Sequence, residues 1–248
     1  MITRSDDYVE YCRETAKHAR DLHDLALRGS NKKETTRVTH ERIVEAAKLG
    51  AQDELLDIGC GDGTLLRMAQ QLGVKSAIGL LATEEEVALV RKTGVDARRG
   101  FSDQLPVADA SISVVVCNNV LLIVPREKIP ASLREIWRVA RPGARIFIGE
   151  IPFVQPVDPT PRFDTTGEML SYLYHRHGLR TWLGMVRQLA KAKITGTPFV
   201  MRPGTAVSFY ATAEEFIAMA ETAGLEIVSF WQHHDPANRN NYLFRKPL

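Results

Sequence analysis

Gly59-Cys60-Gly61-Asp62-Gly63 sets three glycines at alternate positions directly after the apolar run Glu54-Leu55-Leu56-Asp57-Ile58. Glycine tolerates left-handed backbone and lets another molecule approach the main chain closely. A helix beginning near Thr64 would add its N-terminal N–H groups to the same spot. This is chemistry for a nucleotide or nucleoside, and its details narrow the choice. No Gly-Lys-Ser/Thr follows, which excludes a P-loop. The dinucleotide fingerprint needs glycines at the first, third and sixth positions, and Thr64 stands in the sixth. A second group of residues offers proton transfer near neutral pH, namely His175, His177, His233 and His234. Each of them alone is also compatible with an ordinary surface or hydrogen-bonded histidine. Arg176, Arg180 and Arg202 suit either an anionic ligand or a solvated face. No carboxylate cluster is spaced for a divalent metal. Cys12, Cys60 and Cys117 are far apart and odd in number, giving neither a metal-ligand spacing nor a disulfide framework. A reducing cytoplasm is the compartment they imply.

The elements around these residues alternate in period. Two helices, about Tyr8 to Leu27 and Thr36 to Leu49, come first and make residues 1–50 a helical cap. Short apolar strands then follow one another with helices between: 54–58, 76–81, 95–99, 112–117 and 144–150, with helices near 64, at 84–92 and at 131–140. A near-continuous apolar strand such as Ser113-Val114-Val115-Val116-Cys117 suits a parallel sheet buried on both faces, and strand–helix alternation makes that architecture the expected one. The rhythm breaks at residues 151–207, proline-rich at first and then helical from Glu168 to Lys193 with an interruption at Gly178. It resumes with helix 213–223 and strand 225–231, and strand 241–246 closes the chain. The turn between the last two strands is too short for a crossover, so they should run antiparallel. The expected fold class is α/β: a doubly wound, mostly parallel seven-stranded sheet with an antiparallel last strand, N-terminal helices, and a helical insertion after the fifth strand. Net charge is +2, too mild for a nucleic-acid binder. No run approaches the roughly 20 apolar residues of a membrane span, and the polar N-terminus does not read as a signal sequence.

Leu56-Asp57-Ile58-Gly59-Cys60-Gly61-Asp62-Gly63 resembles the first motif of the class I S-adenosylmethionine-dependent methyltransferase family, and a Rossmann-like sheet goes with it. The resemblance runs from about Glu54 to Glu150, about two-fifths of the chain. It takes in Leu105-Pro106, the segment Cys117-Asn118-Asn119-Val120-Leu121-Leu122, and Arg134 to Ala144 with its Arg141-Pro142-Gly143. It implies a domain over 51–248, with 151–207 as a lid, and S-adenosylmethionine over the glycine loop. Asp57 would orient the loop and the amino-acid end of the donor. Gly59, Cys60 and Gly61 would allow close backbone approach, and Asn118 would sit near the sulfonium. Asp62 would cap the following helix or also bond the donor.

Two positions depart from the family pattern. Leu81 stands where an acid usually holds the ribose, and Thr83 with Glu86 reads as a capping box rather than a replacement. Gly100-Phe101-Ser102-Asp103 stands where Gly-Asp-Ala usually binds the adenine; Phe101 would pack on the ring and Ser102 or Asp103 supply a polar contact. The acceptor expected is a small molecule, such as a sugar or natural product, taking the methyl group on oxygen or nitrogen, with the four histidines as candidate bases. Leu179, Trp182, Leu183, Val186 and Leu189 recur at helical spacing and are expected to pack their helix on the domain, a membrane contact being the alternative. A non-catalytic methyltransferase-like subunit that has lost donor binding is the rival reading, and Leu81 and Phe101 favour it.

Overall fold

The run Ile112–Asn118 has nowhere to go but the middle of a sheet, since every residue from Ile112 to Cys117 is buried and both faces therefore need covering helices. The computed structural model describes residues 2–4, 8–19, 22, 33–154, 163, 165–195, 199–201, 208–232 and 238–248. In chain order the elements are β1 (Ile2–Arg4), α1 (Tyr8–His18), α2 (Lys33–Ala46), β2 (Glu54–Ile58), α3 (Thr64–Gln71), β3 (Ser76–Leu81), α4 (Glu84–Arg91), β4 (Asp96–Arg99) and β5 (Ile112–Asn118). They continue as α5 (Ile129–Val139), β6 (Ala140–Pro152), α6 (Thr166–Thr195), β7 (Phe199–Met201), α7 (Ala213–Thr222), β8 (Glu226–Gln232) and β9 (Arg239–Arg245).

The main sheet has the order β4-β3-β2-β5-β6-β9-β8. Strands β2 to β6 pair in parallel, and β9 is antiparallel to both neighbours, β6 and β8. The seven expected strands and the antiparallel last one are thus present. The order reverses between β2 and β5, the kind of switch point outside which open α/β sheets hold their ligands. One face is packed by α5 and α7 through Ile129, Leu133, Ile136 and Phe216 against Tyr242 and Phe244. The other is packed by α2, α3 and α4 through Ile43, Leu65, Leu66, Val87 and Val90. Each such side chain, once buried, contributes about 1.5–3 kcal/mol relative to exposure.

Several boundaries differ from the sequence reading. The fifth strand of the sheet starts at Ala140, not Ala144, because Ala140 pairs with Ile112 before the register shifts. The preceding helix starts at Ile129, with Pro130 in its first turn, where proline's missing N–H costs no bond. The first helix is described only over Tyr8–His18, and residues 20–21 and 23–27 of the expected span lie outside the described residues. The insertion and the N-terminus also meet: β1 and β7 form a parallel two-stranded sheet, Ile2 opposite Phe199. Helix α6 breaks at Gly178, whose φ and ψ of 79° and 175° are non-helical. Its apolar stripe packs only in part: Trp182, Val186 and Leu189 are half-buried, while Leu179 and Leu183 keep 57% and 41% of their surface exposed.

Candidate active site

The glycine loop leaves β2 and is pinned to the neighbouring strand, since Gly59 and Cys60 N–H both donate to the Leu80 carbonyl at 2.9 and 3.1 Å. Its glycines all adopt positive φ: 76° at Gly59, 55° at Gly61 and 75° at Gly63. At two of them the reason is visible. A Cβ on Gly59 would lie 2.3 Å from Val120 Cγ2, whereas a Cβ on Gly61 would meet nothing within 4 Å. Gly59 is therefore needed for packing, and Gly61 presents an open backbone to an incoming molecule. Asp62 Oδ1 accepts the N–H and the hydroxyl of Thr64, at 2.9 and 2.6 Å, and so caps α3.

Asp57, two residues before Gly59, is 4% exposed, and among the described residues its Oδ2 has no hydrogen-bond partner. Burial, with a smaller contribution from the nearby Asp62 carboxylate, pushes its carboxyl up to about 7. A buried oxygen left without a donor costs about 1–3 kcal/mol, and such orphans in native structures call for a missing partner.

The other positions expected to meet the donor behave less uniformly. The Cys60 side chain turns into the core, 2.6 Å from where a Cβ on Gly79 would stand, and burial raises its thiol; only its backbone belongs to the loop. Leu81 is 5% exposed within the core and offers no polar group. Thr83 Oγ1 accepts the Glu86 N–H, and its hydroxyl donates to Glu86 Oε2 at 2.9 Å, so the pair serves the start of α4. Phe101 keeps 38% of its surface open at the end of β4, with the Arg99 guanidinium 5.8 Å from its ring centre. Ser102 does not fit the ligand contact expected of it: it is buried, and its hydroxyl pairs with that of Ser132 at 2.9 Å. Asp103 forms an ion pair with Lys128.

Beyond Asn118 lies a cleft of about 140 Å³ between α2 and the carboxyl ends of β5, β6 and β8. Thr39 and Arg42 line it from α2, and Asn118, Glu150, Gln232 and Asn241 from the sheet, with Phe147 and Trp231 as its aromatic wall, ring centres 5.9 Å apart. Two amides converge over Gly149, where a Cβ would lie 2.2 Å from Asn118 Oδ1 and 2.9 Å from Asn241 Oδ1. Of the expected histidines, His175 and His177 do not line this cleft. His175 and His177 are exposed on α6, the first with Nδ1 2.8 Å from the Ser171 carbonyl oxygen, the second edge-on to Tyr172. His233 and His234 lie outside the described residues, directly after Gln232. Sequence reasoning missed Arg42, Glu150, Trp231 and Asn241. The rule that ligands sit outside strand carboxyl ends pointed to that edge, but residue type drew attention to histidine instead. Among the described residues no group of three or more His, Cys, Asp or Glu could hold a metal, and no helix is long and apolar enough to cross a membrane.

Residues 56–148 match a family model described as a methyltransferase domain. That match runs from β2 into β6 and takes in the glycine loop. Among curated relatives, the chain is 30% identical over 112 residues to malonyl-[acyl-carrier protein] O-methyltransferase of Serratia marcescens, covering 45% of this chain and 43% of that one. It is 36% identical over 129 residues to 27-O-demethylrifamycin SV methyltransferase of Amycolatopsis mediterranei, covering 48% and 46%. The chain thus spans under half the length of these curated relatives. The fold is that of a solved S-adenosylmethionine-dependent methyltransferase from Methanosarcina mazei, with a TM-score of 0.55, 21% identity, and coverage of 83% of this chain and 97% of that one. The donor suits the residues present. Asp57 offers a buried acceptor oxygen without a donor, and Gly61 offers backbone with room beside it.

Proposed function

We propose that this chain transfers the methyl group of S-adenosylmethionine to an oxygen or nitrogen of a small-molecule acceptor, such as a sugar or natural product, seated in the cleft beyond Asn118. The observation that carries the reading is the orphaned Asp57 Oδ2 beside a glycine loop whose Gly61 is open. The sulfonium supplies a methyl carbon already activated for displacement. What remains for the protein is to hold and align two molecules, the part of catalysis worth most when the reagent is already reactive. Asp57 would accept from the amino-acid end of the donor, Phe101 would cover the adenine, and the Asn118 amide stands where the donor loop gives way to the cleft. The names of the relatives, an O-methyltransferase and a rifamycin methyltransferase, support a small or carrier-borne acceptor.

A second reading, a methyltransferase-like module that binds no donor, is favoured by the buried, apolar Leu81 at the ribose position. Thermal shift separates them. A ligand specific to the folded state stabilises it by mass action, by about 2.7 kcal/mol at a hundredfold excess over its Kd, and so raises the melting temperature. S-adenosylhomocysteine is expected to raise it and NAD to leave it unchanged. A protein indifferent to S-adenosylhomocysteine, or stabilised by NAD, rules the methyl-transfer reading out.

A further inference from the structure

Two residues other than glycine hold left-handed backbone at the carboxyl ends of neighbouring strands: Asn119, φ 59°, and Glu150, φ 66°. They are bound to each other through one cation. The Arg239 guanidinium donates to Asn119 Oδ1 at 3.1 Å and to Glu150 Oε2 at 2.9 Å. Asn119 N–H donates to the Gly149 carbonyl at 3.2 Å, and Glu150 N–H to Asn241 Oδ1 at 3.0 Å. At this point β6 carries one residue more than β9, since Ile148 faces Tyr242 and Ile151 faces Asn240. A bulge of this kind re-aims a side chain and is common beside active sites. Backbone strain at a residue with a Cβ persists only where its surroundings enforce it. Glu150 lines the cleft and is the carboxylate among the described residues that do so.

We propose that Glu150 is a catalytic residue of this methyltransferase: it accepts the hydrogen bond, and then the proton, of a hydroxyl or amine carried by an aromatic acceptor packed against Phe147 and Trp231. This rests on the methyl-transfer reading. The reacting oxygen or nitrogen forms its bond to the methyl carbon as the carbon–sulfur bond breaks and its electron pair stays on sulfur. The proton that the acceptor loses passes to Glu150 and from there to water. Arg239 is a positioning residue, holding the carboxylate through Oε2.

The test compares two probes of one shape, 4-nitrophenol, which can donate a hydrogen bond, and 4-nitroanisole, which cannot. Both are titrated calorimetrically at pH 6, where 4-nitrophenol keeps its proton, into protein saturated with S-adenosylhomocysteine. Wild type should bind 4-nitrophenol at least about tenfold more tightly, the range expected for a hydrogen bond to a charged group. Glu150→Gln keeps the shape of the side chain without its charge and should reduce the preference to about twofold, with circular dichroism confirming the fold. Trp231→Ala should weaken both probes alike. Equal affinities in wild type overturn the proposal whether or not Glu150→Gln folds. So do failure of both probes to bind, a preference that survives Glu150→Gln, and a Trp231→Ala variant that binds both as wild type does. S-adenosylhomocysteine is titrated first; its failure to bind would count against the methyl-transfer reading, and the probe comparison is then still read on the protein alone.

Discussion

Replacing Asp57 by Asn should make the ligand-free protein more stable at pH 8 and leave it unable to hold its donor. Burial raises the carboxyl of Asp57 from its ordinary 3.8 to about 7. The folded state therefore binds a proton that the unfolded chain has already released between about pH 4 and 7, and stability falls as pH rises through that window. A displacement of that size corresponds to about 4 kcal/mol, fully present below pH 4 and gone above pH 7. Asn is neutral at every pH and escapes this loss. Its own buried amide costs about 1–3 kcal/mol at all pH values alike, so the slope with pH is the informative quantity. Thermal melts of wild type and Asp57→Asn from pH 5 to pH 8 should show wild type losing ground steadily against the variant. Saturating S-adenosylhomocysteine should abolish that trend for wild type alone, because the ligand's ammonium stabilises the carboxylate. Parallel melting curves across the range, without ligand, would refute the argument, since they would mean that Asp57 gains no proton on folding.

The remaining predictions concern the residues around it. Gly61→Val should fold, at a cost of about 1–2 kcal/mol for a left-handed branched residue, and lose S-adenosylhomocysteine binding in calorimetry; retained affinity would mean that the loop only turns a corner. Leu81→Asp should lower stability by about 3 kcal/mol or more, through an unpaired buried charge, and should not tighten the donor; a tighter complex would show that position 81 faces the ribose. Phe101→Ala should weaken S-adenosylhomocysteine about tenfold through lost ring contact, and wild-type affinity would put the adenine elsewhere. Ser102→Ala should leave affinity within about twofold while costing about 1 kcal/mol of stability for the hydroxyl pair with Ser132.

The sheet was legible because its strands announce themselves. A run like Val114-Val115-Val116 reads as buried on both faces, and the short final turn forced an antiparallel pair. The glycine loop was legible because glycine spacing reports backbone conformation directly, and Gly59, Gly61 and Gly63 all have positive φ. Glu150 was not. In sequence it is an ordinary acid after Gly149; its conformation is imposed by β9, whose Arg239 and Asn241 lie about ninety residues away. Strands β1 and β7 are three residues each, too short for any periodicity to show. The stripe on α6 has a sound helical period, yet periodicity says which residues share a face and nothing about what that face meets.

Val120 resting on Gly59 has a consequence for how the two substrates bind. The residue before it, Asn119, is one end of the bridge that Arg239 makes to Glu150. A molecule that settles on the glycine loop would bear on the same short stretch of chain that holds the Arg239 bridge. Under the proposed activity, the two substrates should then not occupy the protein independently. Prior occupancy by the donor should sharpen the acceptor's dissociation constant, and thermodynamic reciprocity requires the acceptor to retain the donor by an equal factor. Initial-rate kinetics should accordingly show intersecting rather than parallel lines, each substrate lowering the apparent dissociation constant of the other.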